Sequence, residues 1–414
     1  MHIDQTTLAK RLRDARINSG LNQDQVAQEV GIPRTALVHI ESGNRTVSTL
    51  ELAEFARLFR RPIADFFLDS PVGEEDVLTA LGRISEDFQD KPRVQREIEN
   101  HVSLCREGVS LRSVLDLDAQ MAPPEYPLAT PGSTWDAVQQ GQAVAREERR
   151  RLALGDNPIP DMADLIATEG IWASGTHLPN EISGMFLRHS SFGMVILVNY
   201  DHPRARKRFS YAHEYAHALM DRSVAVTVSR FADRDELSEV RANAFAAAFL
   251  MPENGLNAFL AHRNKGLGSR EAIPVYDSAT ESLGMKVQAM WRSAPGSQRI
   301  NYQLVARLAY HFGVSYQAAC YRLRGLKMLA EQEMKDLIAK DKQALHFLEI
   351  LKIRDDLEGQ DNENEKKPDR ELLFELLSLA VEALNRELIS KAKFIELGQL
   401  VGIDRKDMLD LGRS

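Results

Sequence analysis

Residues 209–221 read Phe-Ser-Tyr-Ala-His-Glu-Tyr-Ala-His-Ala-Leu-Met-Asp, and His213-Glu214-Tyr215-Ala216-His217 inside them is the pattern H-E-x-x-H. On an α-helix His213 and His217 leave one face a turn apart, close enough for both imidazoles to reach one metal ion. Glu214 flanks that ion without binding it, where a carboxylate can take a proton from a polarised water and pass it to a leaving amine. The pattern therefore requires a helix here and a third ligand from elsewhere in the chain. Ser210 is the expected N-cap, and no Pro or Gly interrupts the run to Met220. Upstream, Gly193-Met-Val-Ile-Leu-Val-Asn-Tyr200 is a short β-rich apolar run, as expected of a strand beside such a helix.

The segment Asp235-Glu-Leu-Ser-Glu-Val-Arg-Ala-Asn-Ala-Phe-Ala-Ala-Ala-Phe-Leu250 is strongly helix-forming, and Met251-Pro252 stops it. It carries Glu236 and Glu239. Glu239 shares a face with Ala242, Asn243 and Ala246, whose small size allows close approach to the His213 helix. Glu239 is the expected third ligand.

His213-Glu-x-x-His217 followed by Glu239-x-x-Ala242-Asn243-x-Phe245-Ala246-Ala247-x-x-Leu250-Met251-Pro252 resembles the signature of ImmA/IrrE-type metallopeptidases. The lead-in Val198-Asn-Tyr-Asp-His-Pro-Arg-Ala-Arg-Lys-Arg-Phe209 is similar too, so the resemblance covers about residues 160–260 and more loosely reaches about 330. It implies a Zn2+-dependent endopeptidase with a zincin-like α+β domain that cleaves helix-turn-helix repressors. His213, His217 and Glu239 are the implied metal ligands and Glu214 the implied base. The implied setting is transcription regulation and stress response, with activity that can be latent until induced. Tyr215 departs from the small or aliphatic residues common at its position, a change that bears on the pocket and leaves the ligands intact.

From Ile3 to about Ser70 the pattern is a run of short amphipathic helices. Gly20 ends the first, and Asn22-x-x-Gln25 forms a capping box for the second, Gln23 to Val30. Gly31 makes a tight turn, Pro33 suits the first turn of a third helix reaching Ile40, and Gly43 stops it. Two short helices about a Gly turn are helix-turn-helix geometry. Leu37 and Ile40 face the core, while Arg34, Thr35 and His39 fall on the exposed side, where Arg can read guanine in a major groove. The stretch resembles the Cro/phage-repressor class, including Glu41-Ser-Gly43-Asn-Arg45 and a following helix near Ser48 to Phe59. That resemblance implies DNA contacts by Gln23 and Arg45 and an Arg16–Glu41 ion pair.

A net charge of −8 argues against broad coating of nucleic acid, so any DNA contact must come from a local surface. Cys105 and Cys320 are too few for a disulfide scaffold or a Cys-type zinc site, which fits a reducing cytosol. No run has the length of a membrane span, and the start lacks a signal-peptide core; a cytoplasmic protein with no membrane partner is expected.

The expected organisation is a Cro-type DNA-binding domain over 1–70, a helical connector with a Pro-rich linker over 71–155, the metallopeptidase-like domain over 156–330 and a helical region over 331–414. The fold class is mainly α, with an all-α N-terminal domain, an α+β zincin-like domain and a helical C-terminal region. Met121-Ala-Pro-Pro-Glu-Tyr-Pro127 and Thr130-Pro-Gly-Ser-Thr134 read as the linker. Arg146-Glu-Glu-Arg-Arg-Arg151 reads as a solvated helix face. Asp161–Thr168 reads as a helix, and Gly170–Ser174 and Met185–Leu187 as strands. His177, His189 and His202 read as surface loop residues, and Tyr211 and Tyr215 as packing residues. Asn301–Leu323 repeats a helix, Gly-Val-Ser turn, helix rhythm and is expected to pack against the core. Glu358–Pro368 reads as a polar hinge before a last helical unit.

Two functions from different classes fit. One is a zinc endopeptidase that regulates transcription by cutting a helix-turn-helix repressor, bound to an operator through its own N-terminal domain and possible as a homodimer. The other is a DNA-binding regulator whose metallopeptidase-like domain senses or scaffolds without proteolysis.

Overall fold

The computed structural model describes residues 5–18, 21–59, 63–66, 92–117, 122–189, 192–222, 224–265, 271–275, 287–291, 298–354, 357 and 370–412. Gly20, the end of the N-terminal domain from 67 to 70, the part of the connector from 71 to 91 and the hinge at 358–368 lie outside the described residues. The chain divides into two compact units, Met1–Gln95 with Arg188–Gly193, and Arg96–Leu187 with Met194–Ser414.

The first unit holds α1 (Gln5–Asn18), α2 (Gln23–Val30), α3 (Arg34–Glu41), α4 (Thr49–Leu58) and a 3-10 turn at Ile63–Phe66. Asn22 and Gln25 form the expected capping box, and Gly31 closes α2 at φ 73°, in the left-handed region that favours glycine. Pro33 sits one residue earlier than expected, at the N-cap of α3, where its φ of −61° and ψ of 141° lead into the helix without belonging to it. Ser48 and Glu51 cap α4 in the same reciprocal way as Asn22 and Gln25. Leu12, Val26, Leu37, Ile40, Phe55 and Phe66 fill the core. The Arg16–Glu41 pair forms, with Nε to Oε1 at 2.6 Å, and ties α1 to α3. An Asn22→Ala change orphans a helical N–H group and is expected to cost about 1 kcal/mol, read as an earlier unfolding transition of this unit in urea followed by circular dichroism.

The second unit begins with α5 (Pro92–Val114), α6 (Thr134–Arg151) and α7 (Met162–Thr168). Strands β1 (Trp172–Thr176), β2 (Ile182–His189) and β3 (Gly193–Asn199) precede α8 (Arg204–Met220), and β4 (Val226–Arg230) precedes α9 (Leu237–Leu250). Next come α10 (Glu253–Ala261), an antiparallel ribbon of β5 (Glu271–Val275) and β6 (Val287–Trp291), then α11 (Tyr302–Phe312), α12 (Tyr316–Gly325), α13 (Glu331–Ile338) and α14 (Asp341–Ile350). Three helices end the chain: α15 (Arg370–Asn385), α16 (Lys391–Leu400) and α17 (Arg405–Leu411). Among the described residues no helix is long and apolar enough to cross a membrane.

The four-stranded sheet has the order β1-β3-β2-β4. β3 runs parallel to β1, from Trp172 opposite Val195 to Thr176 opposite Asn199, and is buried from Met194 onward. Burial on both faces explains its unbroken apolar run. β2 and β4 are antiparallel, with an irregularity where Ile182 faces Arg230 and Gly184 faces Ser229. The sequence does not announce β4, because Val226-Thr-Val-Ser-Arg230 is short and half polar.

Four local expectations are corrected. Ser210 is not an N-cap: α8 starts at Arg204 behind Pro203, because Arg-Ala-Arg-Lys-Arg contains no breaker, and Ser210 is buried within the helix. The Arg146–Arg151 run is not wholly solvated, since Glu148 is 0 % and Arg149 4 % exposed. Six consecutive residues exceed one helical turn, so some must face inward. The run around Tyr126 is anchored, its N–H donating to the Leu219 carbonyl at 2.9 Å. His202 is buried at 5 % exposure rather than lying on the surface.

α6 lies directly on α9. A Cβ on Gly141 would stand 2.3 Å from the Arg241 carbonyl oxygen, so only glycine permits this approach. The α11–α12 pair packs on the core as expected: its buried residues share one cluster with Phe245 and Phe249, and Arg322 Nε donates to the Met251 carbonyl at 3.0 Å. The terminal helices return to α5, through an Arg112–Glu375 pair and Lys393 to Glu107 at 3.0 Å.

Candidate metal centre

α8 and α9 meet along small side chains, Ala212 and Ala216 on one and Ala242 and Ala246 on the other, all buried. That close approach brings His213, His217 and Glu239 together, with their donor atoms within 4.8 Å of one another. His213 Nε2 lies 3.1 Å from Glu239 Oε2, and His217 Nε2 lies 3.2 Å from Glu239 Oε1. The two Nε2 atoms are 3.3 Å apart. All three residues are buried.

The outer ring nitrogens are held by acceptors. His213 Nδ1 is 3.0 Å from Asn243 Oδ1, and His217 Nδ1 is 2.9 Å from Asp221 Oδ2. Protons on both Nδ1 atoms satisfy these contacts and turn both Nε2 lone pairs toward Glu239, which is the tautomer a metal requires. Arg241 donates to Asp221 and, at 3.2 Å, to Gln140, fixing the carboxylate that fixes His217. Burial opposes charge on His217, but its bonds to Asp221 and Glu239 win and raise its pKa to about 10. Burial likewise raises Glu239, and the two imidazoles more than reverse this, holding it below the usual carboxylate range.

Glu214 is fully buried, and among the described residues its carboxylate oxygens make no well-formed hydrogen bond; the Ser229 hydroxyl is close enough to help hold its charge. Burial pushes its pKa up, opposed by the His213 and His217 rings. Gly184 on β2 makes room for it, since a Cβ there would stand 2.8 Å from Glu214 Oε1 and 3.1 Å from the Leu197 carbonyl oxygen. Two nitrogens and a carboxylate, each oriented by an outer partner, beside an unpartnered buried carboxylate, fit a small divalent ion.

Of the other histidines, His177 faces Asp201 at 3.0 Å, His189 stacks on Phe192, and burial lowers His202 to about 4, leaving it neutral. None joins the cluster. Tyr211 and Tyr215 are buried packing residues, and the Tyr215 hydroxyl donates to Glu148. Sequence reading missed Asp221, although its place four residues after His217 puts both on one helical face. It also missed Gly184 and Arg241, for which the sequence carries no signal.

In the first unit Arg34, Thr35 and His39 are exposed along α3, with Arg34 Nε 3.3 Å from Asp24. Gln23 and Arg45 are engaged within the protein: Gln23 Nε2 donates to Glu41 at 2.9 Å and Arg45 Nη2 to Glu51 at 2.7 Å.

Residues 170–324 match the Peptidase_M78 family, described as an IrrE N-terminal-like domain, and residues 12–66 match the HTH_3 helix-turn-helix family. The chain carries a helix-turn-helix domain and an IrrE-like domain. The His-His-Glu cluster lies within the IrrE-like domain, on α8 and α9. The helix-turn-helix domain spans α2 and α3. The combination is that of a regulator with a metallopeptidase-like domain. A curated relative, the transcriptional repressor RstR of the cryptic phage CTXphi from Vibrio cholerae, is 24 % identical over 82 residues, which are 20 % of this chain and 74 % of RstR. Among solved structures, Bacillus thuringiensis PlcR in complex with the peptide PapR7 and DNA aligns over 99 % of this chain and 97 % of its own at 12 % identity. The TM-score of 0.15 is too low to indicate a common overall arrangement.

Proposed function

We propose that this protein is a zinc endopeptidase with its own DNA-binding domain, acting in transcriptional control by site-specific cleavage of a helix-turn-helix repressor. The observation that carries the reading is the convergence of His213, His217 and Glu239 with Glu214 buried beside them. His213 and His217 would hold zinc through Nε2 and Glu239 through its carboxylate. Bound there, zinc supplies Lewis acidity toward the scissile carbonyl and the attacking water.

The chain's own residues do the rest. Asn243 and Asp221 keep both imidazoles in the binding tautomer. Glu214, with no well-formed hydrogen bond among the described residues, is free to accept a proton on its carboxylate and return it to the leaving amine nitrogen. β4 lies at the edge of the sheet, and its Ser229 belongs to the surroundings of Glu214. An extended substrate segment pairing with that edge would be held by its backbone. In the first unit, Arg34, Thr35 and His39 would read bases, with Gln23 and Arg45 near the phosphates once their intramolecular bonds loosen.

The test mixes purified full-length protein, loaded with zinc, with a helix-turn-helix repressor encoded beside it. A discrete fragment is expected, and none after chelation. Metal analysis should find about one zinc per chain, lost in His217→Ala. Intact repressor under every inducing condition, together with operator binding indifferent to His213→Ala, would instead identify a DNA-binding regulator that does not cleave.

A further inference from the structure

The inward-facing part of the Arg146–Arg151 run borders a cavity of about 610 Å3 at the junction of α9 and α10. Arg146, Arg149, Arg150 and Arg322 line it together with Asp156 and Glu253; Arg150 is paired with Glu147, so the three other cations less two anions leave +1. Arg149 and Arg322 are buried, at 4 % and 6 % exposure. Their hydrogen bonds go to neutral oxygens: Arg149 donates to the carbonyls of Gly155, Asn157 and Phe249, and Arg322 Nε to that of Met251 at 3.0 Å. Asp156 and Glu253 act on these guanidiniums through space, without a salt bridge. Burial lowers the pKa of each to about 10.

The Phe249 and Met251 carbonyls belong to the end of α9, so part of this arrangement is a helix C-terminus capped by arginines. A helix end offers only about half a negative charge, well short of two guanidiniums. Buried cations ordinarily have a full counter-charge. The first turn of α10, from Glu253 behind an N-cap Pro252 that gives no side-chain cap, lines the same cavity. Amide groups at such a terminus suit an anion.

We propose that this cavity binds a small molecule carrying two or more phosphate groups, whose charge completes that of Arg149 and Arg322. Arg146 is exposed to solvent and is placed to engage the same ligand from the rim. The fork of the Arg146 guanidinium matches phosphate oxygens in pairs, whereas Arg149, whose three nitrogens already donate to carbonyls, acts through its charge. The cavity's volume exceeds what a single phosphate fills and suits a compact ligand rather than a polymer.

The test is calorimetric titration of the full-length, zinc-loaded chain with inorganic tripolyphosphate. One site per chain is expected, weakened about tenfold or more by Arg146→Gln, which removes a charge-assisted hydrogen bond to the ligand. Both partners of that comparison share the metal centre, so zinc chelation cancels. Arg322→Lys keeps the charge and gives up the fork; it should also weaken binding, and if it fails to fold, Arg146→Gln with Arg150→Gln decides. The proposal is overturned by no binding at millimolar tripolyphosphate, by unchanged affinity in that double variant, or by citrate binding as tightly. It is likewise overturned if only duplex DNA binding responds to the double variant, which marks a nucleic-acid surface instead. None of these readouts depends on proteolysis.

Discussion

If the protein is the zinc endopeptidase proposed, Glu214→Gln should abolish cleavage of the repressor while leaving zinc in place and the fold at least as stable as before. The side chains are nearly the same size, and among the described residues the carboxylate meets only the Ser229 hydroxyl, which the amide oxygen can equally accept from, so the substitution breaks no strong polar interaction. What it removes is the capacity to accept a proton, a contribution of about a hundred- to ten-thousand-fold in rate. Stability should move the other way. A fully buried carboxylate whose burial raises its pKa is a cost to the folded state, and the neutral amide relieves it. Fragment yield, zinc per chain and melting temperature, measured on one preparation, separate the two effects. Loss of zinc in this variant would mean that Glu214 is a ligand and that the division of roles among the four residues is wrong.

The metal helix was legible because its chemistry and its periodicity coincide. His213 and His217 are four apart, and the small-residue face of 239–246 states what may lie against it. The long run of basic residues ahead of Ser210 concealed where α8 begins, since Lys207 is buried despite its charge, lying 4.6 Å from the centre of the Tyr200 ring. A sequence window cannot distinguish that lysine from a solvated one. The Arg146–Arg151 run misled for the same reason: which members face inward is decided by α9, a hundred residues later, whose last carbonyl groups need donors. Gly141 and Gly184 carried no local turn signal because each is required by a close approach from a distant segment. Capping boxes at Asn22 and Ser48, by contrast, are satisfied within four residues and depend on nothing remote.

Tyr215, the residue that departs from the small or aliphatic side chains of the resembling family, leads to the second large effect. Its hydroxyl donates to Glu148, which is fully buried on α6 and also accepts from Tyr126 at 2.8 Å and from Arg151 Nε at 2.9 Å. Three donors from three segments therefore converge on one carboxylate, holding α6 and the Tyr126 segment to the metal helix. Burial and the nearby carboxylate push the Tyr215 hydroxyl well above the ordinary tyrosine range, so it remains a donor at any working pH. Glu148→Ala should destabilise this unit by about 3 kcal/mol, because it strands a buried hydroxyl and takes from Arg151 one of its two carboxylates, Glu169 remaining. Arg151 is partly exposed and can recover some of its loss in water, which keeps the figure at the low end for a broken buried pair. For a unit of this size that corresponds to a fall in melting temperature of about 5 °C. Glu148→Gln keeps an acceptor for the tyrosines and should cost about a third as much. If Tyr215→Phe and Glu148→Ala are combined, the double variant should be less destabilised than the sum of the two singles, since each removes the same bond. Additive losses in that cycle would show that the hydroxyl and the carboxylate do not act as a unit, and Tyr215 would then be only a packing residue.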